Sequence, residues 1–226
     1  MRIWQRMEFS VLLAGIIVAG GLWGFIELAG LARATDAHAL DTRILLAFRE
    51  AGRPDNPIGP PWLEEAVRDV TALGSTVVLV LVIGAAIVYF LLSGKRREAL
   101  FLLVAVGGGQ ILSSLLKLGI DRPRPDLVPH LAQVQTLSFP SGHSMMSAVT
   151  YLALGSILAS IAARQTTRIY VFSLAALVTL MVGFSRLYLG VHWPSDVLAG
   201  WCAGSAWAML CWLLARRLLR PAADGL

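Results

Sequence analysis

Apolar residues in this chain fall in long unbroken runs separated by short polar breaks. A membrane-crossing helix needs about 20 apolar residues. Six stretches approach that length: Phe9–Leu31, Thr71–Leu92, Ala99–Leu116, Ser144–Ala163, Ile169–Phe184 and Val197–Leu214. The fifth is the shortest. The pattern changes in the first long connection, Ala32–Val70. There "LDTRILLAFREAG" and "PPWLEEAVRDV" space their apolar residues as helices do, among charges, and "GRPDNPIGPP" between them reads as a turn-rich breaker. The expected fold is all-α: an integral membrane bundle of six transmembrane helices, with short interfacial helices in the first outer loop.

Composition agrees. Of 226 residues 57% are hydrophobic and only 15% are charged, with a mean hydropathy of +0.70, too little polar surface for a soluble domain of this length. Arg2 and Arg6 precede the first run, and Ala32–Ala34 mimics a cleavage site. The run is longer than a signal-peptide core, so a retained helix is expected. Cys202 and Cys211 lie in one run; on a helix they stand roughly 13 Å apart, too far for a disulfide. A formal charge of +5, spread along the chain, suits anionic lipid headgroups and excludes a concentrated nucleic-acid surface. With no internal repeat, low-complexity tract or second soluble region, residues 1–226 read as one membrane-embedded domain.

Lys and Arg near the span ends set orientation. Arg2 and Arg6, Lys95–Arg97, Arg164 and Arg168, and Arg216, Arg217 and Arg220 all fall on one side of a six-span chain. Both termini are then cytoplasmic. The arginines of Ala32–Val70 are accompanied by Asp36, Asp41, Glu50, Asp55, Glu64, Glu65 and Asp69, and long loops count little in this rule. On the outer side, "KLGIDRPRPD" breaks the pattern with Lys117, Arg122 and Arg124, and a local exception of this kind calls for a functional reason.

Two further outer loops carry polar clusters. In "SFPSGHSM", Pro140 and Gly142 shape a tight turn and a helix starts near His143. Free N–H groups at a helix start make an anion site, Ser141 adds a hydroxyl, and His143 is placed as a proton donor. Alone, the stretch reads equally as an N-capping turn. In "SRLYLGVHWPSD", Pro194 suits the first turn of a helix, and Asp196 follows His192 by four residues. A carboxylate on one imidazole nitrogen fixes the tautomer and frees the other as a nucleophile, while Arg186 brings a fork of donors suited to phosphate oxygens. Alone, this stretch reads more readily as helix capping by Asp196 beside a snorkelling Arg186. Three loop ends holding two histidines, one carboxylate and several cations together form a poor Mg²⁺ or Zn²⁺ site and a good phosphoryl site.

Lys117-x6-Arg124-Pro125, Pro140-Ser141-Gly142-His143 and Ser185-Arg186-x5-His192-x3-Asp196 resemble, in residue type, spacing and order, the three signature motifs of the type 2 phosphatidic acid phosphatases (PAP2). The motifs lie within 117–196, and the six-span layout extends the resemblance over nearly the whole chain. The resemblance implies that His192 attacks phosphorus and forms a phosphohistidine, that Asp196 orients it, and that His143 protonates the leaving oxygen and later activates water. It implies that Lys117, Arg124, Ser141, Gly142 and Arg186 bind the phosphate, with no metal or other cofactor. Arg122 lies outside the signature and reads either as a headgroup contact or as a solvated loop residue.

The expected protein is a phosphatase for a lipid phosphate or diphosphate in a bacterial inner membrane, with its active site on the periplasmic or extracellular side. Its partners are the lipid substrate and surrounding membrane lipids, with no nucleic acid and no obligate protein. The pocket that selects the substrate is expected to be shaped by Ala32–Val70 and Leu127–Leu137. A lipid phosphotransferase, passing the phosphoryl group to an alcohol, fits the same motifs. A transporter fits less well, because Glu27 is the one clear ionisable candidate within the runs. Vanadate-dependent haloperoxidases resemble the family in the site, but six spans argue against that use.

Overall fold

The computed structural model describes residues 2–34, 38–133 and 136–216. Helices α1 (Arg2–Arg33), α4 (Thr76–Leu92), α5 (Arg96–Leu118), α6 (Gly142–Ile161), α7 (Gln165–Tyr188) and α8 (Pro194–Ala215) form the bundle. Short helices α2 (His38–Leu46) and α3 (Pro61–Ala72) flank a two-stranded hairpin, β1 (Arg49–Glu50) and β2 (Arg53–Pro57). Five helices are long and apolar enough to cross a membrane, and a sixth span results when α3 and α4 are taken together.

That sixth span departs from the sequence reading. Residues 71–92 were expected as one run, but the chain bends by 48° between α3 and α4. Ser75 restarts the helix, its hydroxyl accepting from the Val78 N–H at 3.3 Å. Gly74 lets this elbow press on α7: a Cβ there would stand 2.4 Å from Val182 Cγ1. Of the two interfacial helices expected, α3 forms over "PWLEEAVRDVTA". The other ends at Leu46, and the following residues pair as a hairpin closed through Gly52 at φ +75°, the conformation glycine adopts without a Cβ penalty. The breaker segment therefore contains a strand. Arg49 anchors the hairpin to the end of α7, donating to Tyr188 O at 2.9 Å.

Helices α6 and α8 form the centre, with 67% and 50% of their apolar windows buried, against 11% for α1. Phe9, Leu12, Ile16 and Trp23 of α1, and Val77, Val80 and Leu81 of α4, are exposed, as lipid-facing side chains must be. Without a hydrophobic drive between helices in lipid, close approach through small residues holds such bundles. A Cβ on Gly204 would lie 2.5 Å from Met145 O, and one on Gly200 2.7 Å from Ser141 O. The α8 backbone thus packs directly on α6, and Ser141 N–H donates to Asp196 O at 3.0 Å. This contact fixes the starts of α6 and α8, which carry two of the three motifs, against each other.

Candidate active site

At one end of the bundle α5 and α7 finish and α6 and α8 begin, so all three motifs meet there. Lys117 and Arg186 occupy the last turns of α5 and α7, where the helix dipole favours a cation. His143 follows the N-cap Ser141 by two residues, and Asp196 lies in the first turn of α8 behind Pro194.

His192 sits in the buried connection before α8 and is 2% exposed. Gly190 makes this connection possible: it takes φ +71°, and a Cβ would stand 2.7 Å from Val128 Cγ2 and 2.9 Å from Pro129 O. The imidazole Nδ1 faces Asp196 Oδ2 at 3.4 Å, and its Nε2 faces Arg124 Nη1 at 3.2 Å. A guanidinium has no acceptor, so Nε2 carries the lone pair and Nδ1 the proton. Burial pushes the His192 pKa down to about 4; Asp196 opposes the shift, and Arg124 and Arg186 add to it. The ring is neutral at pH 7.

Asp196 is fully buried, and a buried carboxylate needs donors. Oδ2 accepts from Trp193 N–H at 2.9 Å and from the Ser138 hydroxyl, and Oδ1 accepts from Arg122 Nη1 at 2.6 Å.

The cations stand on the opposite side of His192. Arg124 donates through Nη1 to Val191 O at 2.6 Å and through Nε to Thr136 O at 2.8 Å. Burial lowers its pKa, against the pull of Asp196. Lys117 Nζ donates to Thr136 Oγ1 at 2.9 Å and lies 3.6 Å from where a Gly142 Cβ would be. Arg186 is 3% exposed; its Nη1 donates to Thr71 Oγ1 at 3.0 Å, and its Nε has no hydrogen-bond partner among the described residues. Ser141 is buried, its hydroxyl accepting from Ser144 N–H and Oγ as the cap of α6. His143 is half-buried, within electrostatic reach of Arg186, His192, Lys117 and Arg124. All eight residues expected from the motifs therefore gather at one place.

Sequence reasoning missed several neighbours. Arg122, expected at a headgroup or in solvent, is 3% exposed and ion-paired to Asp41 at 2.7 Å and Asp196 at 2.6 Å. Ser138, Thr136 and Thr71 each bond a motif residue. Ser138 sits inside a quoted motif, and that was the available signal; partners as distant in sequence as Asp41 and Thr71 leave none.

A groove of about 630 Å³ leads away from Lys117, Gly142 and His143 between α4 and α5. Its walls include Leu79, Ile83, Ile87, Leu103 and Val106, with Gln110, Ser113 and Ser114 among them, so one end is cationic and the far walls are mainly apolar. Thr136 contributes from the segment expected to shape the pocket, while the apolar walls come from the spans. Among the described residues no three His, Cys, Asp or Glu side chains cluster as metal ligands.

A family model for the PAP2 superfamily matches residues 98–220. This chain belongs to that superfamily. Phosphatidylglycerophosphatase B of Bacillus subtilis is 35% identical over 153 residues, which make up 65% of this chain and 72% of that protein. Lipid A 1-phosphatase of Rhizobium etli is 31% identical over 138 residues, 56% of this chain and 54% of that protein. The crystal structure of a transmembrane PAP2-type phosphatidylglycerolphosphate phosphatase from Bacillus subtilis superposes with a TM-score of 0.78 at 29% identity, covering 90% of this chain and 98% of that one. The protein is a PAP2-type membrane phosphatase, and the family and helical membrane fold expected from the motifs are borne out.

Proposed function

We propose that this PAP2 protein hydrolyses a lipid phosphate or lipid diphosphate at the outer face of a bacterial inner membrane, without a metal, through a phosphohistidine at His192. The observation that carries the reading is the groove between α4 and α5, which joins apolar walls to Lys117 and His143. A substrate with an acyl or isoprenoid tail and an anionic head fits both ends. Relatives named phosphatidylglycerophosphatase B and lipid A 1-phosphatase make phosphatidylglycerophosphate and lipid A phosphates the first substrates to try.

In this reading Lys117, Arg124 and Arg186, with the backbone at Ser141 and Gly142, hold the equatorial oxygens. The Nε2 lone pair of His192 attacks phosphorus; the P–O bond to the lipid breaks as the N–P bond forms. The leaving oxygen takes a proton from the His143 imidazolium, a form favoured by the bound phosphate's negative charge. Asp196 offsets the positive charge on the phosphorylated ring. Water then attacks phosphorus and gives its proton to His143, and the N–P bond breaks to release inorganic phosphate. The outer-face location rests on Lys95–Arg97, Arg164, Arg168 and Arg216 at the opposite end of the helices.

The test is phosphate release in detergent with EDTA, on phosphatidic acid, phosphatidylglycerophosphate, undecaprenyl diphosphate and a lipid A phosphate, beside His192→Ala. Release that vanishes in His192→Ala supports the reading and ranks the substrates. Release that survives in the variant, or wild-type release that EDTA abolishes, overturns it.

A further inference from the structure

Behind the His192–Asp196 pair stands a second carboxylate, outside all three motifs. Asp41, on α2, is 6% exposed. Its Oδ2 accepts from Arg122 Nη2 at 2.7 Å and from the Ser195 hydroxyl, and its Oδ1 accepts from Ser195 N–H at 2.9 Å. Arg122 in turn gives Nη1 to Asp196 Oδ1 at 2.6 Å and to Ser195 Oγ at 2.7 Å, with its guanidinium 5.5 Å from the centre of the Trp193 ring. Asp41, Arg122, Asp196 and His192 thus form one continuous buried line, alternating in charge as far as the imidazole.

Stability alone does not account for this line. Taking three ions out of water is costly, and apolar residues of similar volume hold a fold as well or better. Its geometry bears on the reaction. Arg122 takes Oδ1 of Asp196, so Oδ2 is left to His192, Ser138 and Trp193. Asp41 draws part of the Arg122 charge to itself, which leaves Asp196 more negative toward the ring. That matters most when His192 carries a phosphoryl group and becomes cationic.

We propose that Asp41 and Arg122 are positioning residues, which hold Asp196 in register with His192 and set how much negative charge it presents. Helix α2 of the outer connection is then part of the catalytic apparatus, although it touches no substrate. The proposal rests on His192 as the nucleophile.

The experiment compares wild type, Asp41→Asn and His192→Ala in detergent on phosphatidic acid, with the histidine ring nitrogens labelled with ¹⁵N for NMR. Asp41→Asn keeps the side chain's size and an acceptor for Ser195 N–H. We expect kcat to fall about 10- to 100-fold, the cost of weakening one charged hydrogen bond, with KM within about twofold. The His192 Nδ1–H resonance, assigned by its loss in His192→Ala, moves upfield as its bond to Asp196 weakens; packing defects elsewhere would not move it. Unchanged kcat, a loss confined to KM, or an unmoved resonance overturns the proposal. If Asp41→Asn does not fold, Ser195→Ala removes the hydroxyl shared by Asp41 and Arg122 and is read by the same criteria. Activity retained in His192→Ala refutes the nucleophile assignment itself, whereas an inactive His192→Ala beside a normal Asp41→Asn refutes only the positioning role.

Discussion

Arg124 and Asp196 hold opposite nitrogens of one imidazole: Nη1 of Arg124 lies 3.2 Å from His192 Nε2, and Asp196 Oδ2 lies 3.4 Å from Nδ1. The same guanidinium that fixes the tautomer also covers the atom that would attack phosphorus. A phosphate entering the site must take this donor for its own oxygens, uncovering Nε2 as it binds. On the proposed mechanism, substrate binding and exposure of the nucleophile would be one event.

The tautomer is directly observable. ¹⁵N NMR of the histidine-labelled protein at pH 6 should show His192 neutral with its proton on Nδ1, although a free histidine is largely charged there. An imidazolium signal at pH 6 contradicts this. The sign for stability follows from the pKa of about 4 in the fold, against about 6.5 unfolded. The unfolded chain binds the proton more readily, so this contribution is complete above about pH 6.5 and is lost as pH falls toward 4. Replacing His192 by Gln should flatten the thermal-unfolding profile within that window.

His143 is distinguished by its leaving group. His143→Gln should lose about 10²- to 10⁴-fold on a lipid phosphate, whose alkoxide needs a proton. On a water-soluble aryl phosphate, whose phenolate leaves unaided, formation of the phosphoenzyme should be nearly unaffected in a burst measurement. Equal losses on both substrates contradict the acid role.

The groove makes a separate prediction. Gly84 on α4 and Gly107 on α5 both line it, and a Cβ on either meets no atom within 4 Å. Leucine at either position should therefore fold normally and intrude on the tail. KM for a long-chain phosphatidic acid should rise about tenfold, while a short-chain analogue is turned over as before. An equal effect on both chain lengths contradicts a tail site here.

Gly190 tests the backbone that presents His192. Alanine there meets both the strain of φ +71° and contacts of 2.7 Å with Val128 Cγ2 and Arg49 Nη2. Gly190→Ala should cost about 1–3 kcal/mol, read as a lower unfolding midpoint, with kcat falling beyond the folded fraction. A variant with native stability contradicts the close packing.

The spans and motif residues were legible because each rests on a local signal: an apolar run, or fixed spacing near one loop. The C-terminal end of α7 runs past the expected Phe184 because Ser185, Arg186 and Tyr188 continue the helix into the site, where polar residues dilute the apolar pattern. The elbow at Leu73–Ser75 interrupts an apolar run; its local signal was Gly74 followed by the N-cap Ser75, and the close approach of Gly74 to Val182 and His143 holds the chain in that break. Arg122 was misplaced for a similar reason. Its neighbours in sequence suggest a wet loop; its partners Asp41 and Asp196 come from two other elements. Sequence reports which side chains can bear charge, while tertiary packing decides which are buried and paired.

Passage of the phosphoryl group through His192 can be tested directly. The direct measurement is rapid acid-free quenching during turnover of ³²P-labelled phosphatidic acid, followed by peptide mapping. A base-stable, acid-labile label is expected on the peptide containing His192; it should build within one turnover, persist longer in a variant slow in hydrolysis, and be absent from His192→Ala. Turnover with no label at His192, or with the label unchanged in His192→Ala, would contradict passage through His192.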